Sequence, residues 1–383
     1  MKSVAILGAT GSVGMQALEV VRDNPELAVC ALSAASSADE LVRLAHEHGV
    51  RRIALSDPEA ARVAAAGFEG EVLAGPQGVV ELAGCGADVV LNAIVGAAGL
   101  DATLAALAAG SDLALANKES LVAGGDLVTE AAHRAGRSIL PVDSEHSAIA
   151  QCLQGVAPEQ LSAIVITASG GPFRGMAAAD LRAVTPSQAL AHPTWQMGPK
   201  ITVDSATLMN KGLELIEAHH LFGMGFDRLE VVVHPQSIVH AMARLRDGAV
   251  LAHLGHPDMR VPISFALTHP ERAATPVPTL DFSQPLTLEF ESPDTRAFRC
   301  LALARAAGEA GGLAPCTLNA ANEVAVAAFL DGRIGFLEIA EVVERVLDQA
   351  PAEPLVELAQ VHAADGAARS KARESLEVVA STS

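Results

Sequence analysis

The chain has 383 residues, half of them apolar and only 19% charged, which excludes a disordered protein and requires more than one folding unit. Its formal net charge of −19 argues against a nucleic-acid partner, since phosphate backbones bind basic faces, while anionic small molecules stay possible wherever Lys, Arg and His cluster. Five scattered cysteines with no C-x-x-C pair read as reduced, cytoplasmic thiols and no zinc site.

The run Lys2-Ser-Val-Ala-Ile-Leu-Gly8 predicts a buried strand. It breaks too early at Gly8 to read as a signal peptide. Gly8-Ala-Thr-Gly11-Ser-Val-Gly14 follows, then a helical pattern from Met15 to Arg22. This is a variant of the dinucleotide loop: glycines let the backbone approach a pyrophosphate, and the helix N-terminus offers free N–H groups. A second strand, Ala28 to Leu32, runs into Ser33-Ala-Ala-Ser-Ser37. An NAD-specific fold carries an acid there for the ribose hydroxyl. Here no acid would repel a 2′-phosphate, and Ser36 and Ser37 offer hydrogen bonds, which favours NADP.

Further strands are expected at Arg52 to Leu55, Asp88 to Ile94, Leu113 to Ala116 and Ser138 to Val142, alternating with helices in a parallel, doubly wound sheet. The longest apolar stretch, Ala87 to Ala109, carries Asn92 and Asp101 and reads as strand plus helix, not a membrane span. Asn117-Lys118-Glu119 closes one strand at the expected ligand edge. Leu140-Pro-Val-Asp-Ser-Glu-His146 closes another, with Asp143 and Glu145 expected on one side of the strand as two hard oxygen donors.

A strand from Ala163 to Ala168 precedes Ser169-Gly-Gly-Pro-Phe-Arg174. Later, His192-Pro-Thr-Trp-Gln-Met-Gly-Pro199 holds the sole Trp between Pro and Gly punctuation, the composition of a mobile lid. Val203 to Leu221 predicts one helix. Asn210, Lys211 and Glu214 would share a face of it, and Ser205 would lie about 13 Å from Glu214 along it. Leu229 to Val233 and Ala249 to Leu254 read as strands, with His234 and His240 assigned to structure or an interface. Residues 270–296 are Pro-rich and read as a linker. Helices are expected at Phe298 to Gly308, Leu318 to Leu330, Phe336 to Gln349 and around Leu355 to Ala364, with Ser381 to Ser383 frayed.

Taken together, the glycine loop, Ala116-Asn-Lys-Glu-Ser120, the Leu140–His146 segment, Ala168–Arg174, Val203–Glu214, His234-Pro-Gln-Ser237, Pro257-Asp-Met-Arg260 and Asn319-Ala-Ala-Asn-Glu323 resemble the 1-deoxy-D-xylulose 5-phosphate reductoisomerase family, over nearly the whole chain. The resemblance implies an NADP-dependent oxidoreductase that rearranges and reduces a phosphorylated ketose with the help of Mg²⁺ or Mn²⁺, Co²⁺ being a further option. It implies Asp143, Glu145 and Glu214 as metal ligands. It places Lys118, Ser144 and Glu145 at the reacting end of the substrate, and Ser169, His192, Ser205, Asn210 and Lys211 around the remainder, chiefly the phosphate. NADPH would contact Thr10 to Val13, Asn117, Glu119 and Gly198.

The implied architecture is an N-terminal Rossmann-like domain (1–141), a central α+β catalytic and dimerisation domain (142–269) with its lid at 169–199, a linker (270–296) and a C-terminal helical domain (297–383). The family is typically a homodimer, here expected in the cytoplasm. Two departures stand out: Ala35, Ser36 and Ser37 replace the glycine, basic residue and asparagine common in relatives, and Thr194 and Gln196 replace an Asn and a Ser. Two alternatives compete. One is an aspartate-semialdehyde-type dehydrogenase, which needs a nucleophilic cysteine such as Cys85. The other is a catalytically silent NADP(H)-binding regulator, which needs no metal.

Overall fold

The computed structural model describes residues 1–195, 197–350 and 353–380. The expected frayed end, Ser381 to Ser383, and Gln196 of the lid lie outside the described residues. The chain forms two compact units, one of residues 1–120, 128–147 and 258–278, the other of 121–127, 148–257 and 279–383. Each has its own apolar core.

The first unit is a seven-stranded sheet, β1 (Lys2–Leu7), β2 (Leu27–Ala34), β3 (Arg52–Leu55), β4 (Glu71–Ala74), β5 (Val89–Asn92), β6 (Asp112–Leu115) and β7 (Ile139–Pro141). All neighbours pair in parallel, in the order β4-β3-β2-β1-β5-β6-β7. β1, β5 and β6 are apolar along nearly their whole length because helices cover both faces of a parallel sheet. β4 was not expected: Glu71-Val-Leu-Ala74 is short and half-exposed and carries no alternation. The order reverses between β1 and β5, which makes the carboxyl ends of these strands the ligand crevice of such a sheet. Helix Arg260–Thr268, expected in the catalytic domain, packs instead in this unit against helix Ser12–Arg22. Arg260 reaches Glu19 at 3.4 Å, and Lys2 Nζ donates to the carbonyls of Leu267 and His269.

The second unit carries a four-stranded sheet of β8 (Leu161–Ala168), β9 (Leu229–Val233), β10 (Val239–Leu245) and β11 (Val250–Leu254), in the order β11-β10-β8-β9. β10 is antiparallel to both neighbours, and β8 and β9 are parallel. Helices Cys300–Ala310, Ala314–Leu330, Glu338–Leu347 and Leu358–Ala380 belong to this unit and share one core with the sheet. The last is far longer than the Leu355 to Ala364 segment expected, because Ala364, Ala368, Ala372, Leu376 and Val379 extend its buried face. The end of the linker is not free chain: Val233 and Glu291 exchange both backbone hydrogen bonds.

The helix expected from Val203 to Leu221 is two helices, Pro199–Ala206 and Met209–Phe222. Leu208 between them adopts a left-handed backbone (φ 61°). Its buried side chain holds the turn in the core, and the Thr207 hydroxyl bridges the Asp204 carbonyl to the Met209 N–H. The straight 13 Å separation of Ser205 from Glu214 therefore does not apply.

Candidate active site

Four loops at the carboxyl edge of the first sheet, after β1, β2, β6 and β7, carry most of the candidate residues. The loop after β1 is built for close approach. A Cβ on Gly8 would sit 2.7 Å from the Ala93 carbonyl oxygen, and one on Gly14 would sit 2.3 Å from the Gly8 oxygen. Thr10 and Val13 are half-buried and Gly11 and Ser12 exposed. No side chain caps the helix that starts at Ser12, so its first N–H groups and its positive end face the space above the loop. The residues fit a dinucleotide pyrophosphate. Ala35, Ser36 and Ser37 are all exposed where β2 ends, and Ser37 precedes helix Ala38–Glu47 without capping it. The hydroxyls of Ser36 and Ser37 stand open to a 2′-phosphate, although Asp39 and Glu40 occupy the first turn of that helix.

After β6, Asn117 is buried and fully occupied. Its Nδ2 donates to the carbonyls of Ile94 and Gly96, and its Oδ1 accepts from the Ser120 N–H. It therefore shapes the β5 loop and caps helix Lys118–Ala135. Glu119 is buried beside it, with Oε2 3.3 Å from Asn117 Nδ2.

Lys118 is buried, and its ammonium is paired with the carboxylate of Asp143 after β7. Contrary to the expectation, Asp143 and Glu145 do not lie together on one side of a strand. β7 ends at Pro141, and Ser144 already opens helix Ser144–Cys152. Ser144 Oγ donates to Glu145 Oε2 at 2.5 Å. His146 is fully buried, its Nδ1 3.8 Å from Asp143 Oδ2. His146 was not singled out from the sequence, although its place three residues after Asp143 on a helical turn was the available signal.

In the second unit, Glu214 is fully buried and engages both side chains expected on its face. Asn210 Nδ2 donates to Oε1 at 2.6 Å and Lys211 Nζ is paired with Oε2. Ser169 and His192 come together at 2.9 Å. His192 Nδ1 accepts the N–H of Trp195 at 2.9 Å, so the neutral ring carries its proton on Nε2 and donates it to Ser169 Oγ. Burial lowers the His192 pKa and favours that neutral form. Ser169 Oγ also accepts from Gly171 N–H at 3.2 Å. With both acceptor positions used, its own hydrogen is left to donate to an anion. Ser205 belongs to the same neighbourhood: a Cβ on Gly171 would lie 3.0 Å from the Ser205 carbonyl oxygen. Gly198 opens helix Pro199–Ala206.

His234 is structural, as expected, bonded to the Glu289 carbonyl at 2.8 Å and to the Ile238 N–H at 3.2 Å. His240 packs its ring 6.3 Å from that of Trp195. Asp143 and Glu145 in the first unit and Glu214 in the second each offer carboxylate oxygen, the donor type that suits a hard divalent cation.

Cys85 does not fit a nucleophile beside a cofactor. It precedes β5, at the amino edge of the parallel sheet, whereas the glycine loop follows β1 at the carboxyl edge. A hydrogen bond from Cys30 lowers its thiol pKa to about 6, but on the wrong edge of the sheet.

Comparison with known proteins agrees along the chain. Residues 4–125 match the family described as 1-deoxy-D-xylulose 5-phosphate reductoisomerase, residues 139–222 the C-terminal domain of the same description, and residues 254–371 the DXP reductoisomerase C-terminal domain. The 1-deoxy-D-xylulose 5-phosphate reductoisomerase of Rhodococcus jostii is 53% identical over 376 residues, covering 97% of this chain and 93% of its own. That of Desulfitobacterium hafniense is 50% identical, covering 98% and 99%. The solved reductoisomerase of Zymomonas mobilis in complex with NADPH superimposes with a TM-score of 0.92 at 45% identity, over 98% of this chain and 99% of its own. A DOX-P reductoisomerase crystallised with NADPH, fosmidomycin and magnesium gives 0.93 at 40% identity over 99% of both chains.

Proposed function

The chain belongs to the 1-deoxy-D-xylulose 5-phosphate reductoisomerase family, and on that premise we propose how its residues divide the work. The enzyme uses NADPH and a divalent metal, magnesium in the solved relatives, to rearrange and reduce 1-deoxy-D-xylulose 5-phosphate to 2-C-methyl-D-erythritol 4-phosphate, a step of the non-mevalonate route to isoprenoid precursors. The observation that carries the division of roles is that each lysine of the site is held on a carboxylate, Lys118 on Asp143 and Lys211 on Glu214.

Asp143, Glu145 and Glu214 are the proposed metal ligands. The cation supplies Lewis-acid stabilisation of the substrate's oxygens; Mn²⁺ and Co²⁺ have the same preference for such a donor set and are proposed as substitutes. With these carboxylates committed, Lys118 donates to the reacting oxygens, assisted by Ser144. Lys211, Asn210, Ser205, Ser169 and His192 hold the phosphate, the last two through the Ser169 hydroxyl hydrogen. Thr10 to Val13 cradle the pyrophosphate. Ser36 and Ser37, with the Ala35 backbone, receive the 2′-phosphate, and Glu119 and Gly198 border the nicotinamide end. Asn117 acts by shaping the β5 loop. Residues 169–199 form the lid of a catalytic and dimerisation segment, 142–269, that follows the cofactor segment 1–141. The linker 270–296 and helical segment 297–383 complete the proposed division.

A homodimer is proposed on the state of β11. It is an edge strand with Val250 (51%), Leu251 (37%) and Leu254 (36%) exposed, and an unprotected apolar edge favours pairing with a second copy. No helix among the described residues is long and apolar enough to cross a membrane; a cytoplasmic location is part of the proposal. NADPH oxidation on addition of 1-deoxy-D-xylulose 5-phosphate, abolished by EDTA and restored by Mg²⁺, tests the reading. Turnover that ignores EDTA would remove the metal from it, and sedimentation as a monomer at micromolar concentration would remove the dimer.

A further inference from the structure

The Asn319-Ala-Ala-Asn-Glu323 segment has no part in the roles assigned above. It lies inside helix Ala314–Leu330, and both asparagines are completely buried. Asn322 Nδ2 donates to Asp204 Oδ1 at 2.7 Å. The other oxygen of the same carboxylate is 3.0 Å from Lys200 Nζ. Asp204 is 1% exposed, so its charge depends on these partners instead of water.

The placement of this clamp is informative. Lys200 sits in the first turn of helix Pro199–Ala206, directly after Gly198 at the end of the lid, and Asp204 is the residue before Ser205. The Asp204 carbonyl also accepts the Thr207 hydroxyl that braces the left-handed turn at Leu208, immediately ahead of Asn210 and Lys211. A shift of Asp204 is therefore felt on both sides of the phosphate-binding segment. The clamp also has a cost. The carboxylate dictates which end of the Asn322 amide faces it, and this leaves Asn322 Oδ1 buried without a hydrogen-bond partner among the described residues. An apolar residue would fill a helical core without that penalty.

We propose that Asn322, acting through Asp204 and Lys200, is a positioning residue that fixes helix Pro199–Ala206 and so sets the lid end and Ser205 for the substrate phosphate. The inference rests on the assignment of Ser205 to the phosphate. Asn322 touches neither substrate nor cofactor. Its effect falls chiefly on substrate affinity and lid order, because the glycine cradle for NADPH is built wholly from the first unit and Gly198 is the one cofactor contact proposed at the lid end.

The test compares Asn322→Ala, Asn322→Asp, the exchanged pair Asp204→Asn with Asn322→Asp, and Ser205→Ala. Each is measured for NADPH affinity, for KM and kcat with 1-deoxy-D-xylulose 5-phosphate, and for emission of Trp195, the sole Trp of a chain without Tyr. Loss of one charge-assisted hydrogen bond in Asn322→Ala raises KM about tenfold, with kcat and NADPH affinity within about twofold. Asn322→Asp sets two carboxylates against each other and raises KM further. The exchanged pair restores one amide and one carboxylate across the same gap but leaves Lys200 opposite an amide, so it recovers the further loss seen in Asn322→Asp and not the whole affinity, a partial rescue that a merely structural asparagine would not show. Trp195 emission shifts in the two single variants and moves back toward wild type in the exchanged pair. Wild-type KM in Asn322→Ala, or an exchanged pair no better than Asn322→Asp, overturns the proposal. Should the Asn322 variants not fold, Lys200→Ala at the more accessible end of the clamp carries the same expectation, and wild-type KM there overturns it equally. An unchanged KM in Ser205→Ala removes the phosphate assignment and the inference with it, whereas a raised KM there beside unaffected clamp variants removes the inference alone.

Discussion

Replacing Gly14 by Ala tests whether the glycine loop is a cradle or only a turn. The added Cβ would lie 2.3 Å from the Gly8 carbonyl oxygen, 2.6 Å from Ala9 Cα and 2.8 Å from the Ala9 carbonyl carbon. All three are backbone atoms, so no flexible side chain can move aside. Ordinary contact begins near 3.4 Å, so the loop and the helix Ser12–Arg22 must separate by about 1 Å, an overpacking that costs roughly 1–3 kcal/mol. For a unit of this size that lowers the melting temperature by roughly 2–12 °C. The same displacement moves the first N–H groups of the helix off the pyrophosphate, and NADPH affinity falls by about 10- to 100-fold. Gly11→Ala is the companion. Its Cβ would meet only the Gly8 oxygen, at 3.3 Å, and its backbone (φ −81°, ψ 168°) is open to any residue. Its melting temperature therefore stays close to wild type while NADPH affinity still drops, because Gly11 is exposed on the cofactor side. NADPH fluorescence titration and thermal unfolding measure both quantities. Unchanged melting and unchanged NADPH affinity in Gly14→Ala would refute the cradle.

Glu214→Gln removes a charged ligand and the partner of Lys211, so turnover collapses and calorimetric Mn²⁺ binding weakens while NADPH still binds; near-normal turnover at saturating Mg²⁺ would exclude Glu214 from the metal. Lys211→Ala raises KM for the phosphorylated substrate by about 1.5–3 kcal/mol of lost charged hydrogen bonding, and equal weakening for NADPH would place Lys211 in a shared role. The ring of His220 lies where a Cβ on Gly125 would be, 2.3 Å away, and faces His219 and, at 3.6 Å, Asp126. Burial pushes its pKa down to about 4. The unfolded chain then binds the proton first, so this contribution to stability is full above pH 6.5 and is lost as pH falls toward 4, by up to about 3 kcal/mol. Urea titrations across that window measure the slope; His220→Gln flattens it, and an unchanged slope in that variant would reject the assignment.

The sequence alone determined the features that depend on local pattern. β1, the glycine loop and the following helix were legible because an apolar run, three glycines and a helical period occur within about twenty residues, and each has one local meaning. The oxygen character of the proposed metal donors likewise follows from residue type alone. Tertiary structure decided what depends on neighbours distant in sequence. β4 forms because β3 offers it a pairing edge, not because Glu71-Val-Leu-Ala74 favours a strand. The break at Leu208 carries no glycine or proline to announce it, and a buried leucine in a left-handed turn is tolerated only because the surrounding core fixes it. Helix Arg260–Thr268 joined the cofactor unit through Arg260 and Lys2, contacts more than 200 residues apart in the chain. The Asn322–Asp204 clamp, 118 residues apart in the chain, was equally unreadable, because a buried amide is recognised by its partner and the partner is supplied only by the fold.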